Sequence, residues 1–207
     1  MRLYGKCKKK SSDRCGFFIK STHNDEKAEI FLKMMEDLNI QPVMHHYVYE
    51  VELRKSIAVK QLVEKNQIEV YQTEEFVTDE KEYREYFLDA YEWFNRFELK
   101  EGENIYTYHE EDENLGEIRS LYLAKKKGYL YFLSDDGTAR RFAKNMLSTS
   151  RHKIETLSLY EALLKCKDNG TEITFKQLNP IITEAFRTRQ AKLNRIKEVY
   201  MNEKHTT

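Results

Sequence analysis

One stretch constrains the fold more than any other: residues 114–144, which read NLGEIRSLYLAKKKGYLYFLSDDGTARRFAK. Its first half carries apolar residues at three- and four-residue intervals, which predicts one buried helix face. These residues are Leu115, Ile118, Leu121 and Tyr122. Gly128 follows a lysine run and predicts the end of that helix. Residues 130–133 then form a short apolar run, typical of a strand buried on both faces.

An acidic turn closes this predicted strand and opens the next helix. Ser134, Asp135 and Asp136 follow the apolar run, and Glu117 opens the preceding helix. Open α/β sheets place ligands outside the carboxyl ends of their strands, so these acids are candidates to converge on a cation. The alternative is purely structural, with an aspartate as a helix N-cap and Glu117 favouring the helix dipole.

The rest of the chain alternates strands and helices. Strands are predicted at residues 15–19, 42–44, 68–71 and 154–157, and a long amphipathic helix begins at Thr78. A β–α–β order predicts right-handed crossovers and a parallel sheet. The sequence therefore predicts an α/β fold.

Charge and cysteine content indicate which partners and which cellular compartment to expect. The formal net charge is +0, so a nucleic-acid contact requires a local basic patch rather than a global charge. The three cysteines, with no secretory leader and no apolar run long enough to span a membrane, predict a cytoplasmic protein with reduced thiols and no membrane partner.

Residues 166–207 do not continue the alternation of strands and helices. They are predicted to be a helical C-terminal extension to a domain of residues 1–165. This extension carries the best basic patch in the chain, which predicts contact with RNA phosphates. Its members are Arg187, Arg189, Lys192 and Arg195. A solvated helix face or a homodimer contact is the alternative.

Several fragments together resemble a PIN domain, a metal-dependent ribonuclease family. The resemblance covers roughly residues 15–160, and its most specific part is the pattern GE…A…SDD…AR…A that begins at Gly116. Weaker parts are the segments 17–19, 42–43 and 49–53. The resemblance implies a three-layer α/β/α sandwich with a central parallel sheet, acting as an endoribonuclease on single-stranded or structured RNA.

The resemblance also implies a site for Mg²⁺ or Mn²⁺. Glu50, Glu117 and Asp135 match the metal-binding acids, and Asp136 assists as their neighbour. Ser134 is a candidate to position water or phosphate. Hard divalent cations take carboxylate oxygens and supply a hydroxide at neutral pH, which fits phosphodiester hydrolysis.

One position departs from the family pattern. Lys20 stands where an aspartate should end the first strand. Either Asp25, five residues on, supplies the missing ligand, or Lys20 pairs with Glu50 and Asp135 and takes the place of the cation. The first alternative predicts an active nuclease. The second predicts a catalytically inactive module that binds RNA or a protein partner.

Overall fold

The computed structural model describes residues 9–13, 25–98 and 114–201. Within them the chain is mixed α/β, as predicted. The strands are β1 (Lys9–Asp13), β2 (Ile40–His45), β3 (Glu69–Tyr71), β4 (Tyr131–Leu133) and β5 (Glu155–Leu157). The helices are α1 (Asp25–Asp37), α2 (Ile57–Glu64), α3 (Glu80–Glu98), α4 (Leu115–Lys127), α5 (Gly137–Phe142), α6 (Leu159–Asp168), α7 (Phe175–Ala185) and α8 (Gln190–Met201). Two π-helical turns, Val48–Glu52 and Ala143–Leu147, follow β2 and α5.

The described strands form one parallel sheet in the order β3-β2-β1-β4-β5. Strand β1 lies at the centre, with Ser12 in register with Val43 on one side and Phe132 on the other. Asp13, the last residue of β1, is in register with Leu133 at the end of β4. The strand order reverses between β1 and β4, which makes their carboxyl ends the topological switch point of the sheet.

The strand at the centre of the sheet is Lys9–Asp13, which pairs with both β2 and β4. The sequence analysis gives no strand at these residues and predicts the first strand at residues 15–19. Residues 15–19 and Lys20 lie outside the described residues. Backbone pairing is independent of side-chain polarity, so a polar segment can join the sheet where an apolar pattern does not reveal it.

The sheet carries a separate apolar cluster on each side, because successive strand residues point to opposite faces. Val43 and Phe132 pack with helices α3, α4 and α5. Met44 and Leu133 pack in the other cluster, with helices α1, α2, α6, α7 and α8. The predicted boundary after residue 165 falls inside α6, and both C-terminal helices share this second cluster. Among the described residues, no helix is long and apolar enough to cross a membrane.

Local signals at helix ends were predicted correctly. Gly128 ends α4 with φ +65°, a left-handed conformation that favours glycine. Asp136 caps α5 by accepting a hydrogen bond from the backbone N–H of Thr138 at 2.6 Å. These caps set where each helix begins and ends around the acidic turn.

The two π-helical turns change which side chains face inward. A 3.6-residue period would place Val51 and Met146 on the buried faces of their helices, but they are 57% and 53% exposed. Val48 and Leu147 are buried. A π-turn adds a residue to the turn and so rotates the following side chains away from the face expected from a 3.6-residue period.

His45, the last residue of β2, makes side-chain contacts with Tyr47 and Thr73. Its Nδ1 accepts a hydrogen bond from the backbone N–H of Tyr47 at 2.9 Å, so Nε2, 3.1 Å from Thr73 Oγ1, carries the proton. Burial, together with the positive charge of Arg119 and of His46, lowers the pKa of His45 to about 3. The ring is therefore neutral in the folded protein and charged in the unfolded chain below pH ~6.5.

This difference predicts loss of stability in acid. Between pH 7 and pH 5 the unfolded chain takes up the proton and the folded protein does not, which lowers the free energy of unfolding by about 2 kcal/mol. In His45→Asn, whose amide oxygen can still accept from Tyr47, this part of the acid loss should disappear. Urea unfolding at both pH values measures it. The control, His46→Asn, should keep the wild-type loss, and an unchanged loss in His45→Asn would refute the assignment.

Candidate functional site

The carboxyl edge of the sheet gathers segments that follow three different strands. The π-helical turn Val48–Glu52 follows β2, the acidic turn follows β4, and Ser158 follows β5 to cap α6. Helix α4 begins at this edge, because it crosses back over the sheet before β4 and packs against β1, β2 and β4. Parallel pairing thus brings together residues that are far apart in the sequence.

Glu117 is the most buried acid at this edge. It lies in the first turn of α4 and is 1% exposed. The unpaired N–H groups and the positive end of the helix dipole favour a negative charge at this position. Charged groups are rarely buried to this extent unless they are compensated, which makes Glu117 the strongest candidate for a functional carboxylate.

Glu52 lies against the same turn. A Cβ added to Gly116 would stand 2.0 Å from Oε1 of Glu52, so only glycine leaves room for this carboxylate. Gly116 has no positive φ that would otherwise explain it, since the positive-φ glycines of the described residues are Gly128 and Gly170. Glu52 was missed by the sequence analysis. The available signal was Gly116, because glycine within a helix indicates close approach of another group.

Glu50, which the sequence predicts as a ligand, is directed elsewhere. It is exposed, and its Oε1 lies 3.9 Å from Nε2 of His46. In the described part of the chain, no group of three or more His, Cys, Asp or Glu residues is placed to hold a metal ion, so Glu50, Glu117 and Asp135 do not form such a group there. The π-helical turn is the physical reason, since it changes which glutamate faces α4.

The acidic turn after β4 takes part in helix capping. Asp135 Oδ1 accepts a hydrogen bond from the backbone N–H of Leu159 at 2.9 Å and so connects β4 to the first residue of α6. Asp136 caps α5, and Ser134 is buried with its Oγ accepting from the N–H of Asp136 at 3.1 Å. The structural alternative considered for an aspartate at this turn is therefore correct for Asp136.

Two further acids are located by the backbone. Asp25 is the first residue of α1. Asp13 is the last residue of β1, beside the end of β4 at the switch point. Asp13 is not predicted from the sequence, because no apolar run marks the strand that it ends. Lys20, the residue expected at the end of the first strand, is outside the described part of the chain.

The four residues of the predicted basic patch have different surroundings. Arg187 and Arg189 are exposed in the turn between α7 and α8, rather than on the last helix. Lys192 Nζ lies 4.9 Å from the ring centroid of Tyr160, the second residue of α6. Arg195 is paired with Glu198 at 2.9 Å. Of the four predicted residues, Lys192 is the one in contact with the helix that begins at the carboxyl edge.

Glu161 links the start of α6 to Arg140 of α5, the helix that follows the acidic turn. Its Oε2 accepts from the N–H of Ser158 at 2.7 Å and pairs with Nη1 of Arg140 at 2.7 Å. Burial raises the pKa of Glu161, but the hydrogen bonds from Ser158 and the charges of Arg140 and Lys192 outweigh burial and lower that pKa overall. Glu161 is therefore a carboxylate that pairs with Arg140 beside the edge.

No protein-family model, curated protein or solved structure matches this chain. The side chains of the carboxyl edge are therefore the basis for assigning a function.

The contact between Glu52 and Gly116 predicts a double-mutant result. Alanine is favoured over glycine in a helix by about 1 kcal/mol. Gly116→Ala should show no such gain in the free energy of urea unfolding, because the new methyl group displaces the Glu52 carboxylate. When Gly116→Ala is made in the Glu52→Ala protein, the free energy of unfolding should rise by about 1 kcal/mol.

Gly137→Ala is the matched control, since the nearest atom to its added Cβ is Arg141 Nη1 at 3.8 Å. This change should stabilise the protein or leave it unchanged. An equal gain for Gly116→Ala in the wild-type and Glu52→Ala backgrounds would show that the two residues are not coupled.

Proposed function

We propose that this protein is a divalent-metal-dependent endoribonuclease of PIN-like type, with its site at the carboxyl edge of the sheet. Two observations carry the proposal: Glu117 is buried in the first turn of α4, and the Glu52 carboxylate lies against the preceding residue, Gly116. Two acids from distant parts of the chain are thus brought to the start of one helix, where the helix dipole favours negative charge.

The fold supports this proposal. A five-stranded parallel sheet in the order β3-β2-β1-β4-β5, with an apolar cluster on each face, is consistent with the three-layer α/β/α sandwich implied by the resemblance. In such a sheet the expected ligand position is the crevice at the β1/β4 switch point. Asp13 and the turn that begins at Ser134 border that crevice.

The donor set fits a hard divalent cation. Glu52 and Glu117 provide carboxylate oxygens, and Asp13 lies at the end of the neighbouring strand. Mg²⁺ or Mn²⁺ takes ligands of this kind, and when bound it would supply a hydroxide at neutral pH and relieve charge on the phosphate. This set replaces Glu50 by Glu52 and keeps Glu117.

The remaining residues of the edge have positioning roles in this proposal. Asp135 holds the start of α6 with one oxygen, which fixes the turn after β4 relative to the turn after β5. Ser134 fixes the backbone of Asp136 from within the protein. Arg140 and Lys192 offer positive charge beside the edge, where an RNA backbone would approach.

One observation favours a second candidate, a non-catalytic module that binds RNA or a protein partner. Asp136 caps α5, and Asp135 Oδ1 accepts a hydrogen bond from the backbone N–H of Leu159 at the start of α6. Part of the acidic turn therefore has a structural role. In this case the edge would bind without cleaving. Measuring binding and cleavage separately distinguishes the two candidates.

The proposal is tested with a fluorescently labelled single-stranded RNA in Mn²⁺. Wild-type protein should cleave it, and Glu117→Gln and Glu52→Gln should each reduce the cleavage rate by about 100-fold or more, because several kcal/mol of transition-state stabilisation are lost. Each substitution keeps the size of the side chain and removes its charge.

Glu50→Gln is the matched control, since this glutamate belongs to the same π-helical turn but is exposed and faces His46. Its rate should stay close to that of the wild type. Equal cleavage by Glu117→Gln and wild-type protein would contradict the nuclease assignment. RNA binding without cleavage by any of the proteins would instead support the non-catalytic candidate.

A further inference from the structure

Arg119 has no acidic partner among the described residues, unlike two of the three lysines of its helix. Lys125 and Lys126, further along α4, both pair with Glu82, at 3.8 and 2.5 Å. Arg119 is half-buried, and no acidic side chain in the described part of the chain lies within ion-pair distance of it. An arginine beside an acidic edge would ordinarily pair with a carboxylate.

The guanidinium of Arg119 is held by an aromatic ring. Its Cζ lies 4.5 Å from the ring centroid of Tyr47, a cation–π contact that orients the planar group. Tyr47 immediately precedes the π-helical turn that ends at Glu52. The same turn therefore positions both the candidate ligand Glu52 and the ring under Arg119.

The Arg119 side chain also carries an unmet hydrogen-bond donor. Its Nε is buried and has no partner within the described residues. Leaving a buried donor unpaired costs roughly 1–3 kcal/mol, so native proteins rarely keep one without a reason. Packing over Tyr47 alone does not explain it, because a lysine would also make a cation–π contact with that ring and has no Nε donor to bury.

Arg119 is also close to the proposed site along the helix. It follows Gly116 by three residues on α4, and residues three apart lie on the same helix face with Cβ atoms about 5–6 Å apart. Gly116 is where the Glu52 carboxylate lies. A cation one turn from two carboxylates reduces the repulsion that an anionic substrate would meet at this edge.

We propose that Arg119, oriented by Tyr47, binds a backbone phosphate of single-stranded RNA next to the bond that is cleaved. The planar guanidinium can donate two parallel hydrogen bonds to phosphate oxygens. This inference rests on the proposed nuclease function and adds a substrate-binding residue to it. Arg119 is a binding residue in this account, and the acids remain the candidates for chemistry.

The test measures binding of a fluorescein-labelled single-stranded RNA 12-mer in EDTA by anisotropy, over a range of KCl concentrations. Arg119→Gln should raise Kd about tenfold and reduce the slope of log Kd against log salt by about 0.7, the value for one phosphate contact on a single strand. Arg119→Lys should keep the slope, because the charge remains. It should bind RNA more weakly than the wild type, because an ammonium cannot make the two parallel hydrogen bonds of a guanidinium.

Arg151→Gln is the matched control. Arg151 is exposed and precedes β5, so it lies toward the amino ends of the strands, away from the proposed site. Its Kd and slope should equal those of the wild type. Melting temperatures identify any variant with a damaged fold; if Arg119→Gln is damaged, a Kd for Arg119→Lys equal to the wild-type value overturns the proposal.

Two results would overturn the proposal, and they can be told apart. If wild-type protein binds and cleaves RNA while Arg119→Gln keeps the Kd and slope of Arg151→Gln, the role of Arg119 is wrong and the nuclease assignment stands. If wild-type protein neither binds nor cleaves RNA, both proposals are wrong.

Discussion

Parallel pairing on both sides of β1 is the constraint on which the rest of the structure depends. The strand Lys9–Asp13 is in register with β2 and with β4, so it joins the two halves of the sheet. Parallel neighbours cannot be connected by a tight hairpin, and each connection must cross the sheet through a longer segment. Every described strand therefore ends at the same edge, and the residues that follow the strands meet there. Formation of the sheet and assembly of the candidate site are in this sense the same event.

The acids and Arg119 show how this edge balances its charges. Glu117 is buried at the start of α4, and the Glu52 carboxylate lies against the preceding residue, Gly116. Two carboxylates this close to one helix turn repel one another, although the helix dipole offsets part of that cost. Arg119 brings a positive charge one turn away and is oriented by Tyr47. Under the proposed function, the acids bind the cation and Arg119 binds a phosphate.

Local signals made much of the fold predictable from the sequence. Helix α4 and its end at Gly128 follow from apolar spacing and from glycine chemistry, and the cap of α5 follows from the position of Asp136. Two other features were not predictable in this way. Strand β1 is polar and is recognised only by its backbone partners, and the π-helical turn directs Glu52, not Glu50, toward α4. Both depend on contacts between distant parts of the chain, which apolar periodicity does not report.

The most direct test of the central claim is a titration of the protein with Mn²⁺, in which electron paramagnetic resonance measures the free ion. If the Glu52 and Glu117 carboxylates form one site at the carboxyl edge, wild-type protein should bind one Mn²⁺. Glu117→Gln should weaken this binding by about 10- to 100-fold, as expected when a residue that supports a metal site is lost. Equal Mn²⁺ binding by wild-type protein and Glu117→Gln would contradict the account.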